Sequence, residues 1–208
     1  MSNDALAARW DGLLGRLTMH DPTTTGRALI ARWAEPHRRY HDLAHLNVVL
    51  DNLHDLAGHA KDVDAVRLAA WYHDAIYAGA PDDEENSARL AESDLTALGL
   101  PSALVAETAR LVRLSATHDP AFGDHNGETL CDADLAVLAA EPADYARYVE
   151  AVRAEYAHVP DDAFRAGRAG ILRRLLAAPA LFHTPAGRER WEADARANVS
   201  AELAALTD

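Results

Sequence analysis

The chain is a succession of segments in which apolar residues recur at the three- and four-residue spacing of amphipathic helices. One such stripe consists of Leu43, Leu46, Leu50 and Leu53. Alanine, leucine, arginine and glutamate dominate these segments, whereas the alternating β-branched runs that indicate strands are absent. The pattern predicts helices near residues 4–18, 22–34, 42–57, 62–78, 84–98, 101–116, 131–140, 142–157, 160–177 and 186–206.

Turn-forming residues separate the predicted helices. "DPTTT" and "GAPDDEE" combine proline or glycine with helix-capping residues, and each stands directly before a helical segment. "THDPAFGDHNGETL", residues 117–130, is predicted to be the longest loop. Neither a linker nor an internal repeat interrupts the series. We therefore expect a single all-α domain.

Composition narrows the class of protein. A chain of 208 residues can bury a sizeable core, and its 20 basic against 33 acidic residues give a net charge of −13. Such a surface repels polyanions, so a nucleic-acid polymer is not an expected partner. The chain contains no run of 18 apolar residues, so no membrane span is predicted. The first stretch, "MSNDALAARWDGLL", has no features of a signal peptide. The single cysteine, Cys131, excludes an internal disulfide and fits a cytoplasmic location.

Histidine is the unusual component of this composition. The chain has 11 histidines, and six of them stand between residues 37 and 73. These six are His37, His41, His45, His54, His59 and His73. Histidine is the commonest metal ligand among the side chains, so the clustering makes a metal site a reasonable hypothesis.

Three short stretches carry candidate ligands. "YHDLAHL", residues 40–46, places His41 and His45 four apart, hence on one helix face away from the leucine stripe. "WYHDAIY", residues 71–77, places His73 and Asp74 inside an apolar helix, although burying an ionised carboxylate costs several kcal/mol without a partner. Each stretch alone has an ordinary explanation, either exposed histidines or a local histidine–aspartate pair.

The third stretch, "CDADLAVL" at residues 131–138, places Asp132 and Asp134 before an apolar helix, where aspartate often acts only as a cap. Taken together, the three stretches supply two histidines and two aspartates on three helices. Nitrogen and oxygen donors suit Mn, Fe, Co, Ni or Zn better than Ca. A divalent cation would also compensate the buried charge of Asp74. Asp132 and Asp134 point about 200° apart on a helix, so only one of them can be a ligand.

These motifs resemble the HD-domain superfamily of metal-dependent phosphohydrolases, and most closely the small bacterial subfamily labelled predicted HD-superfamily metal-dependent phosphohydrolase. "YHDLAHL" is also similar to the tyrosine–histidine–asparagine stretch of cyclic-nucleotide phosphodiesterases. The likeness covers nearly the whole chain. It rests on "EPHRRYHDLAHL", "AAWYHDAIY", "DDEENSA", "LSATHD", "DADLAVL", "EYAHVPDDAFRAGRAGILRRLL" and "ARANVSAEL".

The resemblance implies a single-domain HD-type helical bundle, with a metal-binding core at about 35–140 and the C-terminal helices 142–206 packed on it. The implied ligands of one divalent transition metal are His45, His73, Asp74 and Asp134. Asp134 is preferred to Asp132 because the matching aspartate in related domains is followed by a leucine-bearing helix. His41 resembles the phosphodiesterase histidine that protonates the leaving oxygen.

The implied reaction is metal-assisted hydrolysis of a phosphate ester in a small phosphorylated metabolite or nucleotide. Asp74 would also orient the attacking water. Glu84 and His118 are candidates for supporting roles or for a second metal. The subfamily usually has Asn-Glu where this chain has Asp83-Glu84, which puts the metal preference in doubt. Phosphate or the rest of the substrate would be bound by Arg39, Tyr77, Arg168 and Arg196.

Two alternatives remain open. Some HD-domain relatives are dinuclear-iron oxygenases that use additional histidines, for which this chain offers only His118 and His125, with Glu84 as an oxygen ligand. The other alternative is a helical module that binds a nucleotide without catalysis. No membrane partner is expected. The C-terminal helix, residues 186–206, could pack on its own core or on a second copy, so a homodimer is possible.

Overall fold

The computed structural model describes residues 3–207, and every regular element in this range is helical. The elements are α1 (Asn3–Leu14), α2 (Thr23–Trp33), α3 (Leu43–Leu56), α4 (Val63–Tyr72), α5 (Asp83–Ala97), α6 (Ser102–Ser115), α7 (His125–Leu135), a 3₁₀ helix (Ala136–Ala139), α8 (Pro142–Glu155), α9 (Asp161–Ala177) and α10 (Pro185–Thr207). The predicted all-α class is confirmed. Of the described helices, none combines the length and apolar character needed to cross a membrane.

Aromatic side chains form the centre of the main core, which lies among α1 to α7. Trp10 meets Trp71 edge to face, with ring centroids 5.3 Å apart, and contacts Tyr72 in the same way at 6.2 Å. The buried indole N–H of Trp33 donates to the carbonyl oxygen of Trp71 over 3.0 Å. These contacts tie α1 and α2 to α4, so the C-terminal end of α4 is held firmly where the candidate ligands begin.

A second hydrophobic cluster joins the 3₁₀ helix to the C-terminal helices. It includes Leu138, Leu172 and Phe182, together with Ala195 and Val199 of α10. Through these residues α10 packs on its own chain. The half-buried Trp191 lies against both clusters. The C-terminal helices are thereby placed next to the end of α7.

Helix α4 ends at Tyr72, not near residue 78 as the hydrophobic pattern predicted. Buried polar groups stabilise the turns that follow it. The Asp83 carboxylate accepts hydrogen bonds from the backbone N–H groups of Ala78 and Ala80, over 2.7 and 3.0 Å. Gly79, between them, has a φ of 72°, a conformation that glycine adopts without strain. His73 and Asp74 therefore stand at a helix end, where both side chains can turn toward one point.

Helix α7 begins at His125, inside the stretch predicted to be a loop. The residues that indicated a turn form the cap and first turn of the helix, because Asp124 accepts from the N–H of Gly127 over 3.1 Å. Gly127 is required by close packing, since a Cβ there would lie 2.6 Å from Leu114 Cδ2. Asp132 and Asp134 consequently lie near the end of α7, so the prediction that they precede a helix was wrong.

Candidate metal centre

The four predicted ligands converge from three helices. His45 lies in the first turn of α3, His73 and Asp74 follow α4, and Asp134 lies in the last turn of α7. His45 Nε2 is 3.4 Å from His73 Nε2 and 3.1 Å from Asp134 Oδ1. His73 Nε2 is 3.3 Å from Asp74 Oδ2 and 3.6 Å from Asp134 Oδ1. The helices thus bring two imidazole nitrogens and two carboxylate oxygens to one point.

This arrangement fits a shared cation. Ligand atoms about 2.1 Å from one cation are separated by about 3.0 Å at a right angle and about 3.4 Å at the tetrahedral angle. The four separations given above, 3.1 to 3.6 Å, lie close to that spacing. Donor atoms of His45, His73 and Asp74 all lie within 4.8 Å of one another. The centre could therefore hold a metal ion.

The protonation of His73 also favours a ligand role. Its Nδ1 lies 2.9 Å from the carbonyl oxygen of Ala70. A carbonyl can only accept, so Nδ1 carries the hydrogen, and Nε2 is the nitrogen that offers a lone pair to a cation once the cation displaces its proton. The ring is almost fully buried, with 1% of its side chain exposed, so it cannot turn outward. A hydrogen bond to the second ring nitrogen is the usual way in which proteins orient a metal-binding histidine.

Electrostatics make the centre attractive to positive charge. Burial alone would lower the pKa of His73, but the carboxylates of Asp74 and Asp134 outweigh burial and raise this pKa well above its usual value. Burial opposes ionisation of the two aspartates, yet His73 holds both of their pKa values below the usual range. Protons and a cation would therefore compete for the same donor atoms, so cation binding should weaken at low pH.

His118 supports Asp134 from the other side. Its Nε2 lies 2.7 Å from Asp134 Oδ2, so one carboxylate oxygen is held by His118 while the other faces His45 and His73. His118 has a φ of 51°, in the left-handed region that residues with a side chain rarely adopt. Glu84 lines the same cavity, and burial, followed by the nearby Asp74 and Asp83, raises its pKa. His118 and Glu84 are thus both close to the centre.

The structure separates Asp132 from Asp134. The Asp132 carboxylate is buried and accepts hydrogen bonds from the backbone N–H groups of His183 and Thr184, over 2.8 and 2.7 Å. Gly187 packs against it so closely that a Cβ would lie 2.4 Å from Asp132 Oδ2. Asp132 therefore anchors the start of α10, and Asp134 is the aspartate of α7 that faces the centre.

Substitution of these two aspartates is expected to change different properties, the stability of the fold for Asp132 and cation binding for Asp134. Asp132→Asn should lower the free energy of unfolding by about 1 to 2 kcal/mol, because the amide turns a donor toward one of the two backbone N–H groups that the carboxylate accepts from. Asp134→Asn should instead weaken cation binding. Urea unfolding of the metal-free protein and cation titration of each variant measure the two effects. Loss of cation binding in Asp132→Asn, with Asp134→Asn unaffected, would contradict the assignment.

His41 lies near the candidate site although it is not part of helix α3. The N-cap of α3 is Asp42, which accepts from the N–H groups of Ala44 and His45, so His41 precedes the helix. The prediction of a shared helix face was therefore wrong for His41. Its ring still lies near that of His45, with centroids 5.6 Å apart, because the chain turns sharply at residues 39–42.

Glu155, at the end of α8, holds His41 in place and was not identified from the sequence. Its Oε1 accepts from three consecutive backbone N–H groups, those of Arg39, Tyr40 and His41. Its Oε2 lies 2.7 Å from His41 Nδ1 and 3.2 Å from the hydroxyl of Tyr77. The carboxylate accepts, so Nδ1 of His41 donates, and Nε2 makes no hydrogen bond within the described residues.

The pair formed by Glu155 and His41 is strongly polarised. Burial disfavours the ionised carboxylate of Glu155, but the hydrogen bond with His41 and the backbone donors outweigh burial and lower the pKa of Glu155 to about 2. Burial likewise opposes the charged form of His41, whereas Glu155 and Asp74 raise its pKa overall. Glu155 lies 114 positions after His41, so local spacing in the sequence does not connect the two residues. The only sequence signal for Glu155 is its place in the "EYAHVPDD" stretch.

Arg38, rather than the predicted Arg39, organises this region. Its buried guanidinium donates to the carbonyl oxygens of His41, Asp74 and Ala75, over 2.8, 2.9 and 3.3 Å. It thereby joins the turn that carries His41 to the turn that carries Asp74. Arg39 is exposed and donates to nearby carbonyls, including that of Pro36. The structure does not bring Arg39 to the candidate site.

A cavity of about 680 Å³ opens beside the centre. The predicted site residues that line it are His41, His73, Asp74, Tyr77, Glu84, His118, Asp134 and Arg168. Arg168 donates through Nε and Nη2 to Glu202, and Nη2 also contacts the Tyr148 hydroxyl. Its Nη1 has no partner among residues 3–207. Arg196 pairs with Glu192 and is not in the lining, so it does not reach the site.

Comparison with family models, with curated proteins and with solved structures gave no significant match for this chain. The convergence of the four candidate ligands is therefore established by the chain's own geometry alone. The resemblance to HD-domain phosphohydrolases stays a prediction drawn from its residues.

Proposed function

We propose that the protein is a metal-dependent phosphohydrolase that acts on a small phosphorylated metabolite or nucleotide. One observation carries the proposal: two histidines and two aspartates converge from three helices beside a cavity that also contains the oriented His41. The donor set suits Mn, Fe, Co, Ni or Zn. Bound there, such a cation would supply electrophilic polarisation of the phosphoryl group and activation of water.

The chain's own residues supply the remaining steps of hydrolysis. His45, His73, Asp74 and Asp134 hold the cation. Asp74 contacts His73 through Oδ2, so its other oxygen is available to accept a hydrogen bond from the attacking water. The water oxygen forms the new bond to phosphorus as the bond to the leaving oxygen breaks, and the proton that the water loses passes to the Asp74 carboxylate.

His41 is suited to protonate the leaving oxygen. Nδ1 is engaged by Glu155, so the proton on Nε2 of the imidazolium is the one that can be transferred. Glu155 fixes the orientation of the ring and stabilises its charged form before the transfer. This division of roles requires His41 to be protonated and the four ligands to be deprotonated when the substrate binds.

The cavity also favours an organic phosphate over inorganic pyrophosphate. Arg168 and Arg174 both line it, and Nη1 of Arg168 is left over from the pair with Glu202 to contact a phosphate. An adjoining cavity of about 360 Å³ shares His41 and Arg168 but is largely apolar. Its walls include Tyr148, Val152, Tyr156, Phe164 and Ile171. A nucleoside base or another aromatic group would fit against these side chains while its phosphate lies at the centre.

Hydrolysis can be tested with metal-stripped protein reloaded separately with Mn, Co, Ni, Fe, Zn or Mg. Each form is incubated with phosphorylated metabolites and cyclic nucleotides, and products are separated by chromatography so that phosphodiester cleavage is also detected. We expect turnover that depends on a transition metal and is greatest with an aromatic or nucleoside phosphate. Folded, metal-loaded protein that leaves every compound unchanged would contradict the proposal.

Two other results would each identify a different function. Oxygen consumption by the iron-loaded protein would indicate the dinuclear oxygenase, for which His118 and Glu84 are the available extra ligands. His125 is not in the lining of the cavity, so it does not add to that set. Tight binding of a nucleotide that stays intact would indicate a non-catalytic binding module.

A further inference from the structure

A second group of metal-binding side chains lies outside the candidate centre. His59 stands in the loop after α3, and His125 and Glu128 stand in the first turn of α7. His59 Nε2 is 2.6 Å from Glu128 Oε2 and 3.1 Å from His125 Nδ1. His125 Nδ1 is 3.6 Å from the same Glu128 oxygen. None of these three residues lines the cavity beside the centre.

Hydrogen bonding alone does not account for the arrangement. A ring nitrogen carries either one hydrogen or one lone pair. If His59 Nε2 donates to Glu128, its hydrogen is not also directed at His125 Nδ1. If it instead accepts from His125, its lone pair faces a carboxylate oxygen at 2.6 Å. A single proton on His59 Nε2 or His125 Nδ1 therefore makes a linear hydrogen bond with only one neighbour. A cation between the three side chains would instead contact His59 Nε2, His125 Nδ1 and Glu128 Oε2 together.

The donor set and its surroundings are those of a cation site. Two imidazoles and one carboxylate are a common three-residue set for zinc, with water completing the coordination. The side chains of His59, His125 and Glu128 are 20%, 37% and 12% exposed, so an ion from solvent can reach them. Separations of 2.6 to 3.6 Å bracket those between ligands of one such cation, about 3.0 to 3.4 Å.

Neighbouring contacts hold the two segments together without an ion. The side-chain oxygen of Asn126 accepts from the backbone N–H groups of Lys61 and Asp62, each over 2.9 Å. Its amide nitrogen donates to Glu107 over 2.8 Å. The loop after α3 and the first turn of α7 are thus fixed in register, and the three donors are arranged before an ion arrives.

We propose that His59, His125 and Glu128 form a second site for a divalent transition cation of the zinc class, separate from the centre at His73. The cation joins the loop after α3 to the first turn of α7, the helix that carries Asp134 about 9 Å further along its axis. Binding would stabilise α7 by mass action without adding a ligand to the centre.

Zinc titration of the metal-stripped full chain tests this site independently of any activity. In His73→Ala, which disables the centre, we expect one equivalent of zinc to remain and to raise the Tm. Adding His59→Ala to that variant should weaken this binding at least about tenfold and abolish the rise in Tm. His54→Ala is the matched control, since His54 is an exposed histidine of α3 outside both groups. Circular dichroism reports whether each variant is folded.

A second comparison does not depend on His73→Ala folding. His59→Ala and Glu128→Gln, each with the centre intact, should bind one equivalent of zinc fewer than the unmodified chain, whereas His54→Ala should bind the same number. Zinc stoichiometry and affinity unchanged in both His59→Ala and Glu128→Gln would overturn the proposal. Absence of zinc binding by folded His73→Ala would also overturn it.

Discussion

Asp74→Asn is expected to reduce metal-dependent turnover on the order of 10³-fold, the loss of several kcal/mol of transition-state stabilisation. Asparagine has nearly the same shape but lacks the negative charge that partners His73 and attracts the cation. Only 14% of the Asp74 side chain is exposed, so water solvates the buried His73 and the cation poorly once the carboxylate charge is lost. Cation affinity at the centre should fall together with kcat.

The measurement combines kcat for the best substrate with cation affinity from titration. Asp11→Asn is the control, because Asp11 is an exposed aspartate of α1 far along the chain from every candidate ligand. Full activity with tightly bound metal in Asp74→Asn would remove Asp74 from the ligand set. If metal binding alone is lost while turnover persists without metal, the proposed reaction is wrong.

The convergence of His45, His73, Asp74 and Asp134 could be predicted because the resemblance to HD-domain proteins gives each of them a place in a short motif. Two histidines and two aspartates in short motifs remain recognisable whatever the exact helix boundaries are. The choice between Asp132 and Asp134 needed geometry, since both flank the same apolar positions. In the structure it depends on the position of α10, whose start uses Asp132 as its hydrogen-bond acceptor.

The supporting residues could not be predicted in this way. Arg38 and Arg39 are adjacent and identical in type, and they lie between α2 and α3, where no helical periodicity says which side chain turns inward. The structure buries Arg38 against Trp33 and Tyr77 and leaves Arg39 in solvent. Hydrophobic periodicity located the helices, but capping and close packing set the ends of α4 and α7.

Glu155→Gln is expected to reduce kcat roughly 10²-fold while cation binding stays unchanged, since Glu155 bonds to His41 and to none of the four candidate ligands. The remaining oxygen of glutamine can still accept from the backbone N–H groups of residues 39–41. Its amide would then present a donor to His41 Nδ1, which cannot accept while it carries a hydrogen. The imidazolium is thereby destabilised. Glu150→Gln, an exposed glutamate of the same helix, should leave kcat unchanged.

The pH profile distinguishes loss of this orientation from general damage. His41 acts as an acid, so the rate should fall as pH rises through its pKa, which Glu155 and Asp74 raise against the effect of burial. Removing the Glu155 charge lowers that pKa, so the alkaline fall in kcat should move to lower pH in Glu155→Gln. A reduced kcat with an unshifted alkaline limb would mean that Glu155 only supports the fold. An unchanged rate would mean that another group protonates the leaving oxygen, because His41 could not keep its proton as tightly without the carboxylate beside it.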